Sequence, residues 1–218
     1  MIRAIKQYLY NPICLSCGSF FVEDHLCCKI CFSSHIEPRL LLNLKSLSDK
    51  SQYAYLIDWV PGESDLISEM VYRFKNDQAL AAWSFYSRIF AELICEQIDI
   101  SKYDALVPLP GSKITSVHAK LFASQLSGHL GLPVFDALRK TDESGPQKLK
   151  SLSERTNQAS VNAIQRLEVF TNTDTDNLNL IYVDDIMTTG TTYKRSKAAM
   201  QNPNNSLLIT LFCRPKVD

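Results

Sequence analysis

Apolar and polar residues alternate in two rhythms along this 218-residue chain, and the rhythm changes at clear punctuation. The run YAYLIDWV at 53–60 is aromatic and β-branched, predicts a strand, and stops at Pro61-Gly62. Apolar residues then recur at Leu66, Ile67, Met70, Val71 and Phe74, the spacing of an amphipathic helix. A second helix is expected over 77–97, where Leu80, Trp83, Phe85, Ile89, Phe90 and Leu93 repeat and the aromatics belong in a core. YDALVPLPGSK predicts a short strand, a proline-glycine loop and the start of a helix over 114–130. LPVFDAL at 132–138 predicts another short strand. The following stretch is polar and broken by Gly145-Pro146, turning helical near Ser151. LNLIYVDD predicts a strong strand over 178–183 that ends at two aspartates. A helix over 191–200 and a last strand, SLLITLFC, follow. Residues 37–50 mix leucines with polar residues without periodicity and are expected to be a connection. Strands alternating with helices predict an α/β fold with a parallel sheet flanked by helices.

Composition narrows the class. The hydrophobic share of 45% and charged share of 21% are those of a globular chain, not a disordered one. Lys and Arg total 23, as do Asp and Glu, so net charge gives no global case for nucleic-acid binding, although a local basic patch remains open. No apolar run approaches the roughly 18 residues of a membrane span. Asn11-Pro12 interrupts the N-terminal segment before a signal-peptide core can form. A cytoplasmic location is expected, and there cysteines serve as metal ligands or buried thiols rather than disulfides.

Five of the seven cysteines crowd into CLSCGSFFVEDHLCCKIC, residues 14–31. Cys14 with Cys17 and Cys28 with Cys31 form two C-x-x-C pairs, the four thiolates of a tetrahedral zinc site. Cys27 is a spare that could replace Cys28, and His25 and His35 are further donors nearby. Four thiolates leave no open coordination position, so the metal would be structural. The other reading is a cluster of free or redox-active thiols. Cys95 and Cys213 lie in apolar segments and are expected in the core.

The stretch LNLIYVDDIMTTGTT carries the clearest chemistry. In an open parallel sheet, ligands bind beyond the carboxyl ends of strands, where Asp184 and Asp185 are expected. The turn Thr188, Thr189, Gly190, Thr191, Thr192 leads into a helix whose first N–H groups lack internal partners and favour an anion. Phosphate suits that turn, and the two carboxylates suit sugar hydroxyls or a metal ion beside it. The other reading is an ordinary strand-turn-helix with capping threonines.

LIYVDDIMTTGTT resembles the 5-phosphoribosyl-1-pyrophosphate (PRPP) motif of type I phosphoribosyltransferases, with Tyr182 departing from its aliphatic character. That resemblance implies that Asp184 and Asp185 hold the ribose hydroxyls and, in a transferase, stabilise charge at the anomeric carbon. It implies that Thr188, Thr189, Gly190, Thr191 and Thr192 hold the 5′-phosphate. Pro110, Gly111 and Lys113 fall where such proteins carry a pyrophosphate loop, with magnesium accompanying PRPP. Two C-x-x-C pairs, then YRFKND, then this motif resemble the ComF family of competence proteins (ComFC/GntX-like). The segment 138–164 resembles that family's flexible loop, with Arg139, Gln147, Leu152, Arg155 and Asn157 at matching places. The resemblance implies a zinc knuckle with a short N-terminal helix over 1–40 and a phosphoribosyltransferase-like domain over 41–218. In one place the chain departs from the family. Where members carry an Arg-Gly-aromatic-Asn-Gln stretch, it reads ITSVH at 114–118.

The family's role implies handling of incoming single-stranded DNA in natural transformation, with a competence helicase or other DNA-processing protein as partner. Arg139, Lys140, Lys148, Lys150 and Arg155, with Lys194, Arg195 and Lys197, could follow a phosphate backbone or form a solvated face. Phe20, Phe21 and Phe32 are expected to pack the small knuckle, with stacking on bases as the other reading. A metabolic phosphoribosyltransferase acting on a nucleobase or other small acceptor is the alternative function. Its base-reading aromatics would come from Tyr55, Trp59, Tyr72 and Phe74.

Overall fold

The computed structural model describes residues 13–47, 51–62, 65–75, 80–111, 116–141, 163–167, 177–201 and 205–214. Five strands form the main sheet: β1 (Asn43–Ser46), β2 (Gln52–Asp58), β3 (Ala105–Pro108), β6 (Asn179–Met187) and β7 (Asn205–Cys213). Their spatial order is β1-β2-β7-β6-β3, parallel throughout except for β1, which pairs antiparallel with β2 at the edge. Between β3 and β6 in the chain, β4 (Leu138–Thr141) and β5 (Ala163–Arg166) form a separate antiparallel ribbon. The α/β architecture expected from the alternation of patterns is borne out.

The central strands are apolar on both faces because both faces are covered. On one side lie α1 (Leu66–Phe74), α2 (Leu80–Gln97) and α3 (His118–Leu130), packed on Leu56, Leu106, Ile181, Val183, Leu207 and Ile209. An aromatic cluster holds this layer: the Phe74 ring lies 4.6 Å from Trp83, 5.5 Å from Tyr86 and 5.6 Å from Phe212. On the other side α4 (Thr191–Ala199) brings Tyr193 against Tyr55, Val107, Leu180, Tyr182 and Leu208. Helix ends follow local chemistry. Asp65 caps α1 by accepting the Ser68 N–H at 2.9 Å, and α3 ends on the left-handed Gly131, whose N–H reaches the Ser127 carbonyl.

Several expectations change. The connection expected over 37–50 contains β1, whose strand state comes from pairing with β2 rather than from its own polar sequence. The strand expected over 132–138 reduces to one bridge, Val134 to Leu106, beside Pro133, and the ladder begins only at Leu138. The strand expected to end at 183 continues to Met187, because β7 supplies partners as far as Cys213. Cys95 is exposed, since it falls off the stripe of α2 formed by Trp83, Tyr86, Phe90 and Ile94; Cys213 is buried as expected. The N-terminal helix, the helix near Ser151 and the 112–115 segment lie outside the described residues.

Candidate functional site

The sheet topology selects the site. From β3 the chain proceeds outward, through α3, to the Val134 bridge; from β6 it proceeds inward, through α4, to β7. Adjacent strands whose connections leave in opposite directions open a crevice at their carboxyl ends, where α/β proteins bind ligands. Pro108 and Val183 are in register there, and the Leu109 N–H extends the ladder to the Val183 carbonyl at 2.8 Å. The loop after β3, with half-buried Pro110 and Gly111, therefore lies beside Asp184 and Asp185. Gly111 lies close to Ser116, whose side chain a β-carbon on the glycine would meet.

After β6, Thr188 and Thr189 are exposed and the chain turns through Gly190 at φ 71°, a left-handed geometry suited to glycine. Gly190 is the N-cap of α4, and the Lys194 N–H reaches its carbonyl at 3.0 Å. The Thr189 and Thr191 hydroxyls stand 2.9 Å apart across the turn. The first N–H groups of α4 thus face a cleft lined by Leu109, Asp184, Thr188, Thr191 and Thr210. Oriented donors, two hydroxyls and the helix dipole make the turn suited to an oxyanion.

The aspartates lie within the ladder rather than beyond it. Asp184 accepts the N–H of Asp185 at 2.9 Å, and Asp185 accepts that of Ile186 at 3.0 Å. Burial, and then the adjacent Asp185, hold the Asp184 carboxyl well above the usual carboxylate range; the Asp185 N–H and the Lys140 charge pull the other way. Lys140 lies on β4 and acts on Asp184 through the field of its charge, while its neighbour Arg139 is exposed on the ribbon. Lys113, Gln147, Leu152, Arg155 and Asn157, with Lys148 and Lys150, lie outside the described residues. Lys194 and Arg195 are exposed on α4, and Lys197 donates to the Ser51 hydroxyl at 3.1 Å. Tyr55 and Phe74 are buried in the two cores, leaving half-buried Trp59 and exposed Tyr72 of the four aromatic candidates. Sequence reading missed Thr210, because only strand register brings it beside Asp184.

The second cluster lies in the N-terminal segment. The sulfurs of Cys14, Cys17, Cys28 and Cys31 all lie within 4.8 Å of one another, with Cys17 and Cys28 at 3.8 Å. Four sulfurs at about 2.3 Å from a central ion would stand about 3.8 Å apart, so the set fits a tetrahedral four-thiolate metal. Each pair is wound into one turn by an equivalent bond: the Gly18 N–H to the Cys14 carbonyl, and the Phe32 N–H to the Cys28 carbonyl, both 2.9 Å. Burial would raise the Cys14 thiol, but the N–H groups of Cys17, Cys28 and Ser16 bring it down to about 6. The Ser16 hydroxyl draws Cys31 down, yet burial and the thiols of Cys28, Cys17 and Cys14 push it up to about 12. A cation among the thiols removes that conflict by favouring every thiolate.

Cys27 is outside the cluster, which holds Cys28 instead, and burial pushes the Cys27 thiol up to about 12. His25 and His35 are outside it too. His25 stacks on Phe32 at 4.0 Å and its Nε2 lies 3.1 Å from Glu23, while His35 is exposed. The Tyr86 hydroxyl donates to the His25 carbonyl at 3.1 Å, joining this segment to α2. Phe32 packs as expected, but Phe20 and Phe21 do not: they are 73% and 87% exposed. Phe32 instead meets the Phe85 ring of α2.

No protein-family model matches the chain, and no curated protein matches it. Among solved structures it is similar to adenine phosphoribosyltransferase from Saccharomyces cerevisiae, at 15% identity and a TM-score of 0.40 over 84% of this chain and 89% of that one. It is similar to a hypoxanthine phosphoribosyltransferase from Staphylococcus aureus, at 18% identity and a TM-score of 0.36 over 62% and 67%. It is also similar to glutamine PRPP amidotransferase from B. subtilis, at 14% identity and a TM-score of 0.38 over 62% of this chain and 28% of that one.

Proposed function

We propose that the crevice between β3 and β6 binds PRPP, and that the chain is a zinc-containing protein of the ComF type that handles incoming single-stranded DNA. One observation carries the reading. Two carboxylates, a threonine-glycine turn opening α4, and the chain at Pro110 and Gly111 meet at the switch point of a parallel sheet. In this reading the turn from Thr188 to Thr192 takes the 5′-phosphate, and Asp184 and Asp185 take the ribose hydroxyls. The loop at Pro110 and Gly111, with Lys113, takes the pyrophosphate. Magnesium bound with PRPP would neutralise the diphosphate charge. Zinc on Cys14, Cys17, Cys28 and Cys31 would hold the N-terminal segment against α2.

The DNA-handling part is supported by the exposed Phe20 and Phe21, which offer ring faces for stacking, and by exposed Lys194 and Arg195. A DNA-processing partner, such as a competence helicase, and a cytoplasmic location belong to the same reading. Among the described residues, no helix is long and apolar enough to cross a membrane. Transfer of phosphoribosyl to a nucleobase or other small acceptor is the second reading. It is favoured by Trp59, which follows β2 at the same carboxyl end of the parallel strands and is only half-buried. Calorimetric titration of Mg–PRPP into the zinc-loaded protein and an Asp184→Asn/Asp185→Asn variant tests the binding claim. Binding to the first and loss in the second is expected; equal behaviour of the two would sink it. Pyrophosphate release that depends on one added base would favour the second reading over the first.

A further inference from the structure

On the face of the sheet covered by α4, three polar side chains occupy one row. Tyr55 on β2 is in register with Thr210 on β7, and Thr210 is in register with Asp184 on β6. Thr210 is fully buried, and its hydroxyl has no hydrogen-bond partner. A buried hydroxyl without a partner is destabilising, and valine would fill the same space without that cost. Such a group calls for an explanation beyond packing. Thr210 lines the cleft shared by Asp184 and the threonine turn, and registered residues on neighbouring strands stand about 4.8 Å apart and point to the same face.

We infer that Thr210 is a positioning residue of this site, its hydroxyl held for the ionised carboxylate of Asp184 and donating to it whenever Asp184 ionises, in the empty cleft as in the cleft that holds a ligand. The inference rests on the proposed phosphoribosyl reading for the identity of that ligand. The groups that face Asp184 leave this role open. Asp185, on the same strand, opposes its ionisation, and Lys140 on β4 favours it. β7 contributes the neutral Thr210, and the loop after β3 contributes the apolar Leu109. Without the hydroxyl, the charged form of Asp184 would lose a neutral donor.

Two variants separate this role from packing: Thr210→Val keeps the shape and removes the hydroxyl, and Thr210→Ser keeps the hydroxyl. Thr210→Val is expected to unfold at a higher denaturant concentration than wild type, since the unpaired group is gone. Its Asp184 carboxyl, followed by carbon-13 NMR in ligand-free protein, is expected to titrate about one pH unit higher. Its Mg–PRPP affinity by calorimetry should fall about tenfold, and Thr210→Ser should keep both wild-type values. An unchanged Asp184 titration in Thr210→Val overturns the inference, as does lower stability with unchanged affinity. The NMR titration needs no ligand. A wild type that fails to bind Mg–PRPP would therefore sink the PRPP reading, while the coupling of Thr210 to Asp184 is still decided by the carboxyl titration.

Discussion

The four-cysteine cluster and the crevice at β6 are built on opposite terms. In the cluster every chemically distinctive residue serves its own segment: two equivalent turns aim four sulfurs at one point, and the Tyr86 bond to His25 anchors the result on α2. In the crevice the distinctive residues work against local stability. Asp184 is pushed away from ionisation, and the Thr210 hydroxyl has no partner. The contrast teaches how to tell a structural centre from a binding centre within one chain. Changes in the first should cost stability, and changes in the second should cost binding while stability holds or rises.

The largest effect is expected at the cluster. Removing zinc with a chelator, or replacing Cys28 with Ser, should release the metal and lose several kcal/mol of stability, on the order of a third of what zinc supplies to small zinc-folded peptides. Metal content and calorimetric unfolding check this. Cys27→Ser should keep a full complement of metal, because its sulfur is outside the set. Equal metal loss in Cys27→Ser and Cys28→Ser would break the assignment.

Next in size is Asp184→Asn. Loss of charge-assisted contacts of about 1.5–3 kcal/mol should weaken Mg–PRPP binding by about ten- to a hundredfold. Stability should move the other way. The folded state holds the Asp184 proton more tightly than the unfolded chain does. Native stability is therefore full below the unfolded carboxylate range and falls as pH rises through the raised folded value. Asp184→Asn should remove that decline, and denaturant melts between acid and neutral pH would reveal it. Ligand affinity in wild type should rise with pH over the same interval, as the carboxylate ionises.

Gly190→Ala is expected to cost about 1–2 kcal/mol, since φ is 71° and the new β-carbon would sit 3.4 Å from the Leu47 side chain. It sharpens the comparison as the one crevice substitution expected to lower both stability and affinity. The smallest stability effect belongs to Phe20→Ala and Phe21→Ala, within about 0.5 kcal/mol because both rings are exposed. In fluorescence anisotropy the same pair should weaken single-stranded DNA binding by about 1–3 kcal/mol for each stacked base lost. Unchanged DNA affinity would remove the knuckle from the DNA surface.

Much of this was legible in the sequence where one residue pattern has one physical outcome. LIYV and LLITLF are apolar without alternation, as strands covered on both faces must be, and they form adjacent central strands. C-x-x-C pairs can do little but aim sulfurs together, and they do. What could not be read depends on pairing between distant segments. Asn43-Leu44-Lys45-Ser46 has no strand pattern and becomes β1 only against β2. The aspartates lie inside a strand because β7 happens to extend to Cys213. Lys140 acts on Asp184 by its charge from the ribbon, and Thr210 stands beside it by register, neither of which leaves a mark in a linear chain. Phe20 and Phe21 look like core residues by type, and only the course of the chain between the cysteine pairs leaves them in solvent.

The most direct test of the central claim is amide chemical-shift mapping of the zinc-loaded protein as Mg–PRPP is added. The account predicts shifts concentrated at Gly190, Thr191 and Thr192, with Asp184, Asp185 and Gly111 following and the cysteine cluster unmoved. Shifts confined to the cysteine cluster, or none at saturating ligand, would contradict it.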